Sequence, residues 1–308
     1  MRILLTGGAG FIGSHLLDRL IARGDDVAVV DDFNSFYDPA LKRSNLPKAG
    51  FRLHEKDIRE AGDVVEREKP DAVVHLAART GVRPSMDDPK LYEAVNVSGT
   101  LKLLEACRQS GVRRFVFASS SSVYGNGRAP ATEDDEALHP VSPYGISKLM
   151  GEHYVRIYSE LHGMQTSCLR FFSVYGPRQR PDMVIHAFTR LISEGREIPV
   201  FGDGSTERDY THISDILRGV VAALDHPEPF GIYNLGESQT VSLRHLIDLL
   251  EKNVGKKARL KPMPEHPGDV RRTFASIEKA RRVLGYAPKV GIEEGIREFV
   301  DWFRARAQ

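Results

Sequence analysis

Thr6-Gly7-Gly8-Ala9-Gly10-Phe11-Ile12-Gly13 separates an apolar run, Ile3-Leu4-Leu5, from a stretch of helical periodicity that begins at Ser14. Glycines spaced Gly-x-x-Gly-x-x-Gly let a backbone come close to a pyrophosphate and turn the first N–H groups of a helix toward it. Glycine also serves any tight turn, so the weight of the motif rests on what surrounds it. Leu16, Leu17, Leu20 and Ile21 fall on one helical face before Arg23, and Gly24 follows as a carboxyl-terminal cap. The arrangement predicts a βαβ unit with Gly7, Gly10, Phe11, Ile12 and Gly13 against a dinucleotide.

Further apolar runs, VAVVD from Val27, FRLHE from Phe51, AVVHLA from Ala72, RFVFAS from Arg114 and TSCLRFF from Thr166, alternate with amphipathic stretches. That rhythm implies an α/β fold with a Rossmann-type doubly wound parallel sheet. It breaks beyond Val174, where Pro177, Pro181, Pro199 and Gly202 punctuate short segments ahead of a helical pattern from Leu243 to Lys252. A sheet domain is expected over residues 1–173 and a second, smaller α/β substrate domain over 174–308, with part of 206–240 returning to the first. Asp31 closes the second strand, where a carboxylate accepts hydrogen bonds from ribose hydroxyls and repels a 2′-phosphate. Asp32 and Phe33 follow, with no arginine beside them, so NAD is expected over NADP.

Lysine and arginine total 43 against 42 acidic residues, which leaves no basic footprint for nucleic acid and points to a small-molecule partner. Lys256, Lys257, Arg259 and Lys261 read as a solvated edge strand. Cys107 and Cys168 sit in apolar patterns and read as core thiols. Histidines are scattered without a metal-ligand spacing, so no metal is expected. A first strand starting at Arg2 leaves no room for a signal peptide, and no apolar run nears the ~20 residues that span a bilayer. A cytoplasmic location is therefore expected.

Tyr144-Gly145-Ile146-Ser147-Lys148 places a phenol and an ammonium one helical turn apart. A phenol of ordinary pKa, about 10, is a poor base at neutral pH, but a nearby lysine favours its ionised form. Ser119 to Ser122 follow the strand RFVFA, at the end of a parallel strand where open α/β sheets bind ligands. Together they form a candidate catalytic group in which Tyr144 moves a hydroxyl proton.

In order along the chain come TGGAGFIG, HLAA from His75, SSVYG from Ser121, SPYGISK from Ser142 and VYGP from Val174. With these motifs the chain resembles the extended short-chain dehydrogenase/reductases that act on nucleotide sugars, nearly end to end. The resemblance implies catalysis by Ser120, Tyr144 and Lys148. It implies contacts to the dinucleotide from Asp57, Ile58, Leu76, Ala77 and Ala78, with Asn96 in support. For the UDP end it implies Val200, Phe201, Gly202, Arg208 and Asp269, with Arg83 as a further anion contact. Members of this family usually dimerise through helices corresponding to residues 92–110 and 145–161, so a homodimer is expected.

Departures narrow the chemistry. Dehydratases of the family carry Asp-Glu where this chain has Ser121 and Ser122, so elimination of water lacks its acid and base. The asparagine that usually precedes VYGP is Ser173, and an arginine near PGD is His266. Ser173, GPRQRPDM from Gly176 and NSFYDPALKR from Asn34 look like the UDP-glucuronate 4-epimerases, whose small hydroxyls, here Ser121, Ser122 and Ser173, and the arginine matching Arg180 hold the sugar carboxylate. The resemblance thus implies inversion at carbon 4 of a UDP-sugar through a 4-keto sugar, with UDP-glucuronate going to UDP-galacturonate. UDP-glucose 4-epimerisation, decarboxylation of UDP-glucuronate and non-catalytic NAD binding are the alternatives.

Overall fold

Residues 1–265 and 270–307 are described in a computed structural model. The chain opens with β1 (Arg2–Thr6), α1 (Phe11–Ala22), β2 (Asp26–Asp31), α2 (Pro39–Ser44), β3 (Phe51–Glu55), α3 (Gly62–Glu68) and β4 (Ala72–His75). There follow α4 (Val82–Asp87), α5 (Pro89–Tyr92), a π-helical turn over Glu93–Gly99, α6 (Thr100–Gln109), β5 (Arg114–Ser120), α7 (Pro143–His162) and β6 (Gln165–Phe171). Beyond it lie β7 (Ser173–Tyr175), α8 (Val184–Ser193), β8 (Glu197–Phe201), β9 (Glu207–Arg208), β10 (Tyr210–His212), α9 (Ile213–Asp225) and β11 (Phe230–Leu235). The remainder is β12 (Val241–Ser242), α10 (Leu243–Val254), β13 (Arg259–Met263), α11 (Glu278–Leu284) and α12 (Ile292–Ala307).

Seven parallel strands form one sheet in the order β11-β6-β5-β4-β1-β2-β3. Side chains alternate across it. Ile3, Leu5, Val27, Val29, Ala72 and Val74 enter one core, under α1, α9 and α11. Leu4, Ala28, Val30, Val73, Phe115 and Phe117 enter the other, under α3, α6 and α7. A strand covered on both faces gains from burial at every position, which is why these strands read as unbroken apolar runs. The strand order reverses between β1 and β4, and the glycine turn leaves β1 at that crevice.

A third core joins β8, α8, α10 and α12 through Ile185, Phe188, Ile198, Leu246, Leu250 and Phe299. The chain re-enters the sheet after this excursion begins, because β11 pairs in register with β6 from Phe230 opposite Thr166 to Leu235 opposite Phe171. β13 pairs with β8 along one side and exposes Arg259, Leu260, Lys261 and Pro262, the expected solvated edge. α1 starts at Phe11 with Gly10 as its amino-terminal cap, earlier than the leucine periodicity suggests, because Gly13 masks the first turn. Cys107 and Cys168 are buried, unpaired thiols. No described helix is long and apolar enough to cross a membrane.

Candidate active site

The glycine turn is built by exclusion. Gly7 has φ +74, and a Cβ there would stand 2.7 Å from the Ala77 nitrogen, so no L side chain fits without moving β4's end. Thr6 locks the two strand ends together: its Oγ1 accepts the Ala77 N–H at 3.2 Å and meets His75 Nδ1 at 2.7 Å. Thr100 spends its own proton on the Asn96 carbonyl at 2.6 Å, so His75 Nε2 must donate to Thr100 at 2.9 Å and Nδ1 must accept from Thr6. His75 is neutral in this network, and burial, aided by the charge on Lys148, pushes it down to about 3.

A cavity of about 740 Å³ runs from this turn across the sheet edge to β8 and α8. Gly7, Gly10, Phe11, Ile12, Gly13, Asp31, Asp57, Ile58, Leu76, Ala77 and Ala78 all line it. Burial raises the Asp31 carboxyl, opposed by N–H donors from Phe33 at 2.9 Å and Ala9 at 3.0 Å. Asp57 is held below the usual carboxylate range, first by its hydrogen bonds from Arg59. Asn96 is not among the lining residues. It stands behind the wall, accepting from Arg79 N at 2.7 Å and donating to Arg79 O at 2.9 Å and Ser147 at 3.0 Å. Sequence adjacency misses two cations here. Arg79 pairs with Asp32 at 3.1 Å, and Lys42, bonded to the Asn34 carbonyl at 2.8 Å, faces Asp31 and Asp32.

On the opposite side of the crevice, Ser142 caps α7 by accepting the Gly145 N–H at 3.1 Å, which sets Tyr144 in the first turn and Lys148 in the second. Lys148 is buried, donates to the Ala118 carbonyl at 2.7 Å and sits 5.0 Å from the Phe117 ring centre. Burial pulls it down to about 7, and Glu152 acts against that. Burial raises the Tyr144 phenol, while a hydrogen bond with Ser120 and the charge of Arg180 act to lower it.

The four serines divide. Ser119 and Ser120 both line the cavity, but the Ser119 hydroxyl is committed to Glu152, while Ser120 accepts the Ser122 N–H at 3.1 Å. Ser121 and Ser122, expected to contact the sugar, form the short 3-10 turn after β5 and are not among the residues that line the cavity. Steric logic explains it: the turn that brings Ser120 to the crevice carries its two successors over the edge.

Ser173, Arg180, Arg83, Phe201 and Arg208 line the far end. Asp182 grips Arg180 at Nε (2.9 Å) and NH2 (2.8 Å), and the Arg83 guanidinium lies 4.0 Å over the Phe201 ring. Arg208 donates to the Glu207 carbonyl at 2.9 Å. Val200 and Gly202 stand off the cavity wall as well. Strand alternation turns Val200 into the third core, and Gly202, at φ +68, makes the turn after β8 with its N–H on Met263 O at 3.0 Å. Asp269, like His266, lies outside the described residues. Tyr37, Gln179 and Asp182 also line the cavity, and all three fall within the NSFYDPALKR and GPRQRPDM stretches.

A glycine-cradled crevice at the switch point of a doubly wound sheet, with a serine, a phenol and a buried lysine at its edge, defines a dinucleotide-dependent enzyme that moves hydrogen at an alcohol carbon. The chain belongs to the NAD dependent epimerase/dehydratase family, which matches residues 3–236. A UDP-glucuronate 4-epimerase of Thermodesulfobacterium geofontis is 40% identical over 307 residues, covering 97% of this chain and 95% of that one. Among solved structures, UDP-glucuronic acid 4-epimerase from Bacillus cereus, in complex with UDP-glucuronic acid and NAD, superposes with TM-score 0.94 at 36% identity, covering 99% and 100% of the two chains. The Thermus thermophilus UDP-glucose 4-epimerase complex with NAD gives TM-score 0.92 at 38% identity, covering 99% of each chain.

Proposed function

We propose that this chain is an NAD-dependent UDP-sugar 4-epimerase and that UDP-glucuronate, inverted to UDP-galacturonate, is its substrate. The observation that carries the reading is that Tyr144, Ser120, Lys148 and Arg180 line one cavity continuous with the glycine turn. The turn fits the cofactor: Gly7, Gly10 and Gly13 line the cavity at the start of α1, where backbone N–H groups can meet a pyrophosphate, and Asp31 stands where a ribose would present its hydroxyls. When bound there, NAD supplies a reversible two-electron acceptor for the sugar carbon.

The protein's own groups do the rest. Tyr144 as phenolate takes the proton of the 4-hydroxyl, and Ser120 holds the same oxygen as it becomes a carbonyl. Lys148, anchored on Ala118 O, keeps positive charge beside the crevice. After the ketosugar presents its other face, Tyr144 returns the proton and the alcohol is restored inverted. For a uronate the ketone is a β-keto acid, which loses carbon dioxide when the carboxylate bond aligns with the carbonyl π system. Arg180 and Ser173 hold that carboxylate out of alignment, since a guanidinium binds a carboxylate through paired hydrogen bonds. Arg83 and Arg208, beside Phe201, take the diphosphate end.

One observation favours a neutral hexose instead: Asp182 already occupies two nitrogens of Arg180. UDP-glucuronate, UDP-glucose and UDP-N-acetylglucosamine offered separately decide the matter by which product forms. Inversion of UDP-glucuronate without carbon dioxide release is expected. Inversion by Tyr144→Phe at the wild-type rate would sink the mechanism, because general acid–base catalysis is worth about 10²–10⁴-fold.

The proposed working form is a cytoplasmic homodimer. Ile146, Met150, Ile157 and Leu161 make an exposed apolar stripe along α7, with Leu161 71% exposed. Sedimentation as a monomer would reject this.

A further inference from the structure

Glu152 lies one turn beyond Lys148 on the same face of α7 and is 3% exposed. A carboxylate so deep needs hydrogen-bond partners, and both of its oxygens have them. Arg170 of β6 donates from Nε at 2.9 Å and from NH2 at 2.8 Å, and the Ser119 hydroxyl donates to Oε1. Arg170 in turn reaches the Tyr124 hydroxyl at 2.8 Å, which donates to Asn234 of β11 at 2.8 Å. The network ties α7 to three adjacent strands directly behind the catalytic residues. Arg170 and Glu152 together are electrically neutral, yet the carboxylate is the member on the lysine's own helix.

We propose that Glu152 is a positioning residue of the active site, the buried anion that fixes the charged ammonium of Lys148 and claims the Ser119 hydroxyl so that Ser120 alone meets the substrate oxygen. The other groups around Lys148 do not replace it. His75 of β4 is neutral, Cys168 of β6 is held protonated by burial, and Tyr144 and Tyr92 are phenols whose ionisation burial opposes. Arg170 and Arg180 are cations and cannot take its place. Glu152 is the acid that acts to keep the ammonium charged, against the burial that discharges it.

The test uses the full chain with NAD bound. Glu152→Gln keeps the shape and removes the charge. Lys148 titration, followed by NMR in protein labelled with ¹⁵N-lysine, should move its midpoint down by about one pH unit or more in Glu152→Gln. The alkaline limb of kcat should shift by the same amount, with KM for the UDP-sugar within about twofold. Glu152→Gln/Arg170→Met, which removes both charges, should recover part of the shift, and Glu152→Asp should keep the midpoint while lowering kcat. A lysine midpoint unmoved in Glu152→Gln overturns the proposal, as does an unmoved midpoint in the double variant should the single one not fold. The NMR titration needs no turnover, so it stands apart from failure of the epimerase reading, which would show as a wild-type protein inactive on every UDP-sugar.

Discussion

The two ends of the cavity are made by different means. At the cofactor end the backbone does the work: Gly7 at φ +74, the Thr6 bond to Ala77 and the carboxyl end of β2 place the contacts, and neighbours in sequence are neighbours in space. At the sugar end side chains from separate segments converge, with Ser173 from β7, Arg180 from the loop before α8, Arg83 from α4 and Phe201 from β8. The first kind of site tolerates no change of backbone and many changes of side chain. The second reverses that, so substrate choice can drift while cofactor binding stays fixed.

Substituting Gly7→Val should produce the largest break in this contrast. A branched side chain at positive φ, against the Ala77 nitrogen, should weaken NAD binding by roughly a hundredfold or abolish it, at a strain of about 1–3 kcal/mol or more. Isothermal titration with NAD measures it, and unchanged affinity would mean the turn is not the cradle. Arg180→Ala sharpens the other half. Loss of one charge-assisted contact, about 1.5–3 kcal/mol, should raise KM for UDP-glucuronate roughly tenfold or more and leave UDP-glucose nearly unaffected. Equal effects on both sugars would remove Arg180 from carboxylate recognition.

The smallest effect concerns pH. His75 titrates at about 3 in the folded chain and ordinarily near 6.5, so its contribution to stability is present above 6.5 and lost as pH falls toward 3. At pH 5 that loss is about 2 kcal/mol. Asp209, raised to about 6 by burial despite N–H donors from Ala275, Glu237 and Ser238, has the opposite sign, its contribution being lost as pH rises through that value. In thermal melts from pH 7 to 4, His75→Gln should start less stable and decline less steeply than wild type. A parallel decline would show that His75 does not carry the acid sensitivity.

What could be read from residues alone follows the same division. The strands, the first helix, the glycine turn and Asp31 declare themselves because local periodicity and backbone need coincide there. Arg79 and Lys42 near Asp31 could not be seen that way, since the fold delivers them from the end of β4 and from α2. The absence of an arginine directly after Asp31 was therefore a weaker guide to the adenosine end than it looked. Ser121, Ser122, Val200 and Gly202 stand off the cavity wall for a related reason: family position transfers a stretch, while strand alternation and a 3-10 turn decide which side chains of it reach the cavity. Asp182 escaped notice because a carboxylate two residues after an arginine is common, and only geometry reveals a bidentate grip.

Because β11 belongs to the large sheet and β8, α8 and α10 do not, the chain passes between the two lobes more than once. No single cut can separate them. A fragment ending near residue 173 would leave β6 as a bare edge over its whole length, a ready template for pairing with another chain. The lobes are best regarded as two ends of one continuous weave, to be produced, crystallised or engineered together.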